Sequence, residues 1–175
     1  LSTMPPVPTP CAAALPVRED DRLRALHALL ILDTPPEARF DRIVAFAAQE
    51  FDVPIALISL IDRDRQWFKA RLGLAVCETG RDVSFCAHAI LQDAPMVIDD
   101  ALADPRFATN PLVLGEPYIR FYAGAPLETP QGHRLGTLCL IDHQPRQLDA
   151  TGLAILRALR DLAQAELLGR ATEEA

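Results

Sequence analysis

The four cysteines, Cys11, Cys77, Cys86 and Cys139, give this sequence its widest chemical range, because a thiolate is both a nucleophile and a metal ligand. None forms a C-x-x-C pair, and in an intracellular protein free thiols are expected rather than disulfides. A zinc site drawn from Cys86 with His88 and Cys139 with His143 fails on geometry. Positions two apart on a helix point roughly 200° apart at ~3.6 residues per turn. Positions four apart on a strand lie about 13 Å apart, too far to share one ion. No metal ligand is therefore expected. Ser84 and His88, four apart on a helix, could pair as nucleophile and base. Ser84 is already accounted for as a helix cap, and no oxyanion motif accompanies it. The eight glycines form neither a G-x-G-x-x-G nor a G-x-x-x-x-G-K phosphate loop. His27 lies inside an apolar helix pattern and reads as structural.

The polar residues set among apolar ones are densest between Arg81 and Leu127. Alternation along Ile119 to Leu127 places Phe121, Ala123, Ala125 and Leu127 on one strand face and Arg120, Tyr122, Gly124 and Pro126 on the other. The first set suits packing against helices. The second offers a cation, a phenol and bare backbone, as a pocket wall would. Two readings stand for Arg120: an anion ligand in a pocket, or an ion pair with Asp99, Asp100 or Asp104. The pair is favoured, because a buried unpaired cation costs several kcal/mol. Tyr122 either bonds a ligand or packs with its hydroxyl satisfied. Cys86 and Cys139 read first as small buried hydrophobes, and Trp67 as a core or rim aromatic.

The elements that must position these residues follow from hydrophobic period. A helix is predicted over about 18–32, with Leu23, Leu26 and Leu30 on one face. Thr34-Pro35-Pro36-Glu37 has the form of a capping box with proline at the first helical position. The helix it opens runs to about Phe51, with Phe40, Ile43 or Val44, Ala47 and Phe51 inward. Ile55 to Ile61 is a short continuous apolar run, the pattern of a strand buried on both faces. Further strands are predicted over 66–70, 96–99, 119–127 and 135–141. Ser84 caps a short helix to Leu91. Asp104-Pro105 opens a helical turn that Asn110-Pro111 closes. Asp149 caps the last helix, with Leu148 and Leu153 as a hydrophobic staple and an inward stripe of Leu153, Leu156, Leu159, Ala163 and Leu167. Ile155 and Leu162 widen that stripe, which fits either deep burial or a dimer seam. Strands bracketed by helices indicate α+β with an antiparallel sheet.

The chain has 175 residues and 19.2 kDa, the size of one domain. A core of that size buries roughly 70% of the unfolded surface and needs no staple. Residues 1–17 read as a flexible Pro-rich leader, 18–170 as the domain and 171–175 as a disordered tail. Net charge is −7 and Lys69 is the only lysine, which argues against a phosphate-driven nucleic-acid partner. No apolar run reaches the ~18 residues that span a bilayer, and the start lacks signal-peptide character. No membrane partner and a cytoplasmic location are the expectations.

The sequence resembles the GAF domain family, in the bacterial branch that precedes histidine kinases and diguanylate cyclases. The matching pieces are Leu32 to Glu37, Ile61-Asp62 with Gln66-Trp67-Phe68-Lys69, Val83 to Ile90, Asp104 to Val113, Arg120 to Leu127, and Leu135 to Asp142. The resemblance covers about 18–168. It implies a central five- or six-stranded antiparallel sheet, terminal helices on one face, and short helices and loops enclosing a small-molecule pocket on the other. Candidates to line that pocket are Phe85, Cys86, Asp99, Phe107, Asn110, Arg120, Tyr122 and Cys139. The resemblance also implies a homodimer through the terminal helices, and an output kinase or cyclase domain in the same protein or in trans. The leading expectation is a non-enzymatic domain that senses a small molecule or redox state, with no resident cofactor. A thiol reductase like the free methionine sulfoxide reductases, using Cys77, Cys86 or Cys139, and a pure dimerisation module are the alternatives. The cyclic-nucleotide-binding members carry an Asn-Lys-Phe-Asp-Glu signature; with Asn110 the only asparagine and Lys69 the only lysine, it is absent here. Cys86-Ala87-His88 only loosely echoes the cysteine context of bilin-binding members.

Overall fold

A computed structural model describes residues 11–173 of the chain, and side chains to residue 169. Of the expected leader (1–17) and disordered tail (171–175), residues 1–10 and 174–175 lie outside the described residues, and 171–173 belong instead to the last helix. Cys11 to Pro16 form no regular element.

Helices α1 (Glu19–Ala28) and α2 (Ala38–Phe51) lead into strands β1 (Ile55–Ile61), β2 (Arg65–Leu72) and β3 (Glu78–Gly80). A single 3-10 turn at Arg81–Val83 precedes α3 (Phe85–Ala89), then β4 (Met96–Ile98). After a second 3-10 turn come α4 (Pro111–Leu114), β5 (Phe121–Glu128), β6 (Arg134–Asp142) and α5 (Ala150–Glu173). The six strands form one sheet in the order β3-β2-β1-β6-β5-β4, antiparallel at every pairing. The architecture is α+β, as the alternation of periods predicts.

Strand alternation divides the interior into two cores. Ala56, Ile58 and Leu60 of β1, Ala123 and Ala125 of β5, and Leu138 and Leu140 of β6 face α1, α2 and α5. Phe40, Val44 and Ala47 of α2 and Leu156, Ala163 and Leu167 of α5 fill that side. Ile55 and Leu57, Tyr122, and Cys139 and Ile141 face the other way, toward α3, α4 and the turn at Phe107. Period-two strands put successive residues on opposite faces, so β5 and β6 each belong to both cores.

Local chemistry departs from expectation in four places. First, α1 ends at Ala28, and Leu30 adopts φ 52° and is 68% exposed. The turn brings the next residue, Ile31, into the core at 0% exposure. Second, Thr34 is no cap. Its hydroxyl donates to the Ile31 carbonyl and accepts from Lys69 Nζ at 2.8 Å. Glu37, whose backbone is extended, takes the N-cap position of α2 and pairs with Lys69 at 2.6 Å. Proline 36 keeps its predecessor out of the helical region, and a buried ammonium draws in the oxygens around it. Third, the edge strand β3, only three residues long, has no alternation to announce it. Fourth, Asp104-Pro105 begins a turn without a helix, while Asn110 caps α4, accepting from the Leu112 N–H at 2.8 Å. Asn110-Pro111 therefore opens a helix rather than closing one. His27, read as structural, is half-exposed and hydrogen-bonded to Asp62 at 2.8 Å.

Candidate functional site

Gln66 organises the polar side of the second core. Its Oε1 accepts from Ser59 Oγ at 2.9 Å and Ser84 Oγ at 2.7 Å, and its Nε2 donates to Thr79 Oγ1 at 3.0 Å. One buried amide thus joins β1, β2, β3 and the start of α3. Ser84 uses its oxygen a second time, accepting the Ala87 N–H at 3.0 Å. That bond is the helix cap the sequence predicts. It fixes α3 with Phe85 and Cys86 facing the sheet.

A cavity of about 270 Å³ opens between this sheet face, α3, α4 and the segment 74–79. It lies close to the lower end of the ~300–1,000 Å³ range of small-molecule clefts. Leu57, Phe68, Phe85, Ile119 and Ile141 supply its apolar wall. Gln66, Thr79, Tyr122 and Cys86 are its polar members, with the exposed Glu116 and the exposed Glu78, whose carboxylate pairs with Arg65 at 3.2 Å. No arginine or lysine is among the lining residues.

Cys86 and Cys139 meet at the edge of this cavity. Their sulfurs are 3.9 Å apart. Cys86 Sγ also accepts from Tyr122 Oη and Thr137 Oγ1, each at 3.1 Å. Burial by itself pushes a thiol pKa up. At Cys86 the hydrogen bonds from Cys139, Thr137 and Tyr122 outweigh it, and the pKa falls from 9.0 to about 7. Cys139 moves the opposite way, raised by its hydrogen bond to Cys86 and by burial. Tyr122 is also raised, by burial and by the nearby Cys86.

The sequence candidates separate into three groups. Phe85, Cys86 and Tyr122 line the cavity. Phe107 and Cys139 stand directly behind the lining. Phe107 stacks on Phe85 with centroids 4.0 Å apart and takes His88 against its ring at 4.8 Å. Asp99, Asn110 and Arg120 are placed elsewhere. Arg120 grips Asp100 through two hydrogen bonds of 2.9 and 3.0 Å, the ion-pair alternative, on a partly exposed surface. Asn110 is spent on the α4 cap and on donating to the Val83 carbonyl at 3.1 Å. Asp99 is exposed, and its backbone carbonyl accepts the Arg146 N–H at 3.1 Å.

Sequence reasoning missed Gln66, the segment Leu74 to Thr79, and Glu116-Pro117. Gln66 carried one signal, a polar residue next to Trp67 and Phe68 in a predicted strand. The loops carried none, because loop residues have no period.

A GAF domain family model matches residues 35–167. A cyclic di-GMP phosphodiesterase of Pseudomonas aeruginosa is 48% identical over 136 residues, 77% of this chain. The chain spans only 23% of that relative. Among solved structures, the free methionine-R-sulfoxide reductase of Neisseria meningitidis, with substrate bound, superposes with a TM-score of 0.64 at 18% identity, over 89% of this chain and 91% of that one. The GAF domain of an Acinetobacter phosphoenolpyruvate-protein phosphotransferase gives 0.59 at 18% identity, over 87% and 94%. Likeness at such identities carries the fold alone. With the sheet order, the two-sided packing and a family match over most of its length, this chain belongs to the GAF domain family.

Proposed function

We propose that this chain is a sensory domain whose cavity binds a small, largely apolar molecule and whose helical face passes the event to an output domain. The observation that carries the reading is the double role of β5 and β6. Tyr122 and Cys139 face the cavity side, while Ala123, Leu138 and Leu140 on the same strands pack under the helices. A ligand that shifts those strands cannot leave α2 and α5 unaffected, because packed interiors transmit displacement. Couplings of about 1–3 kcal/mol suffice for regulation, provided the ligand binds the two states unequally.

The lining narrows the ligand class. With no arginine or lysine in the wall and Glu116 among the lining residues, a neutral or amine-bearing molecule is favoured over a phosphate or carboxylate. The output is proposed to be cyclic di-GMP turnover, the activity named for the Pseudomonas relative, and the domain is proposed to act as a homodimer. Phe46 on α2 and Leu162 on α5 are 53% and 58% exposed, which supplies apolar surface for a second copy.

The test is a thermal-shift and calorimetric screen under reducing conditions, pairing amines and neutral metabolites with their phosphorylated or carboxylated counterparts. Leu112→Trp, which fills the cavity from α4, serves as the control. Saturation by a neutral or cationic compound, lost in Leu112→Trp, supports the reading. Binding of phosphorylated compounds alone, or no binding across the screen, overturns it.

The thiol reductase is the second reading, and the lowered Cys86 pKa favours it. Turnover of free methionine sulfoxide with a thiol reductant, lost in Cys86→Ser, would replace the sensor with an enzyme.

A further inference from the structure

We propose that Cys86 and Cys139 are a peroxide-oxidisable pair at the edge of the cavity, in which Cys86 is attacked first and Cys139 resolves it into a disulfide. The chemistry stands on the sulfur geometry; its use as a signal rests on the sensory reading.

Cys86 is a lining residue of the cavity at 2% exposure, whereas Cys139 lies in β6 behind it at 0% exposure. Position beside the cavity therefore assigns the order. A disulfide needs the sulfurs at ~2.05 Å, so the pair at 3.9 Å must close by roughly 2 Å. The moving part is α3, a helix of five residues held by the Ser84 and Gln66 contacts; β6 is a central strand bonded on both sides.

Packing alone does not explain the surroundings of the Cys86 sulfur. A buried small hydrophobe has no use for two hydroxyl donors, yet Tyr122 and Thr137 both point at this one atom. Such an arrangement stabilises sulfur when it is negative, the state that attacks a peroxide. The lowered pKa of Cys86 and the raised pKa of Cys139 fit a nucleophile beside a thiol that keeps its proton.

The steps balance with hydrogen peroxide as oxidant. Cys86 releases its proton, and the thiolate attacks one peroxide oxygen. The S–O bond forms as the O–O bond breaks, leaving Cys86 sulfenic acid and a hydroxide that takes up the released proton as water. Cys139 sulfur then attacks the Cys86 sulfur. The S–S bond forms as the S–O bond breaks, and the departing hydroxyl leaves as water with the Cys139 proton. Two thiols are oxidised by two electrons, and one peroxide becomes two waters.

The disulfide pulls α3 toward β6. Phe85 and Cys86 line the cavity, and Leu138 and Leu140 carry β6 into the core under α5, so oxidation reshapes both the binding space and the helical face.

The test starts from a Cys11→Ser, Cys77→Ser form of the chain, which removes the two exposed thiols. The protein is exposed to hydrogen peroxide while folded, then denatured in N-ethylmaleimide, which alkylates the thiols that remain, and mapped by mass spectrometry. A Cys86–Cys139 crosslink is expected, reversed by dithiothreitol. In Cys139→Ser, sulfenic acid should accumulate on Cys86 and be trapped by dimedone. In Cys86→Ser, Cys139 should stay reduced. Tyr122→Phe should slow oxidation by roughly threefold at neutral pH, because less thiolate is only partly offset by a more nucleophilic one. Full alkylation of both thiols after peroxide, or equal oxidation of Cys139 without Cys86, overturns the proposal. The readout is independent of any ligand, so a failed ligand screen leaves it standing and its own failure leaves the ligand reading standing.

Discussion

The Tyr122 phenol lies across the face of Gly124, two residues along the same strand. A Cβ at position 124 would sit 2.1 Å from the Tyr122 hydroxyl oxygen and 2.6 Å from its ring. Glycine at 124 is thus the condition for Tyr122 to reach the Cys86 sulfur. Gly124→Ala should displace the ring and cost about 1–3 kcal/mol, the usual cost of overpacking a core. Urea denaturation measures the loss, and unchanged stability would mean that the ring moves freely.

The Cys86 thiol should be alkylated by iodoacetamide with a pH profile centred near 7. The reactive thiolate is lost as pH falls through that value and complete above it. The groups that face the sulfur are Ser59 from β1, Tyr122 from β5, and Cys139 and Thr137 from β6, and none of them is charged at neutral pH. Tyr122→Phe removes one donor. A hydrogen bond to a charged group is worth ~1.5–3 kcal/mol and one pKa unit ~1.4 kcal/mol, so the midpoint should rise by about one unit or more. A profile that stays in place would assign the low pKa to another cause.

Arg120→Ala should leave affinity for any cavity ligand unchanged, because Arg120 is engaged with Asp100 outside the lining. Calorimetry beside the unsubstituted chain decides it. A loss of affinity would return the cation to the binding site.

Glu19 ties α1 to the body of the domain. It accepts from Arg22 of its own helix at 2.8 and 2.9 Å and pairs with Arg81 across the fold. Burial alone would raise its pKa, but those arginines hold it down at about 2 from 4.5. The carboxylate therefore stabilises the fold in full above pH ~4.5, and the contribution disappears as pH falls from there through 2. Glu19→Gln should destabilise the domain at neutral pH by on the order of 2 kcal/mol, with the gap to the parent closing in acid. A gap that persists at pH 2 would show that packing, not charge, is responsible.

Phe46→Glu and Leu162→Glu should lower self-association in sedimentation experiments while leaving the melting temperature nearly unchanged, since both side chains are exposed in the single chain. A monomer at all concentrations before substitution would remove the dimer from the proposed mechanism.

The sequence by itself determined which residues face which side. The Ile55–Ile61 run, the alternation through Phe121 to Leu127, the α2 stripe and, apart from Leu153, the α5 stripe appear where the period puts them. Period is a local property, written in neighbouring residues. It put Tyr122 on the strand face opposite Phe121 and Ala123, the resemblance to GAF domains put Phe85, Cys86 and Tyr122 at one pocket, and both left their partners open. Tertiary structure decided those partners. Arg120 found Asp100, twenty residues away, and Thr34 found Lys69 instead of capping a helix. The segment 74–79 and Glu116-Pro117 completed the cavity wall. Cys86 and Cys139, fifty-three residues apart, became neighbours only because α3 is capped onto the sheet face that β6 shares. A buried polar atom takes whichever partner folding brings within ~3 Å, and no spacing along the chain encodes that distance.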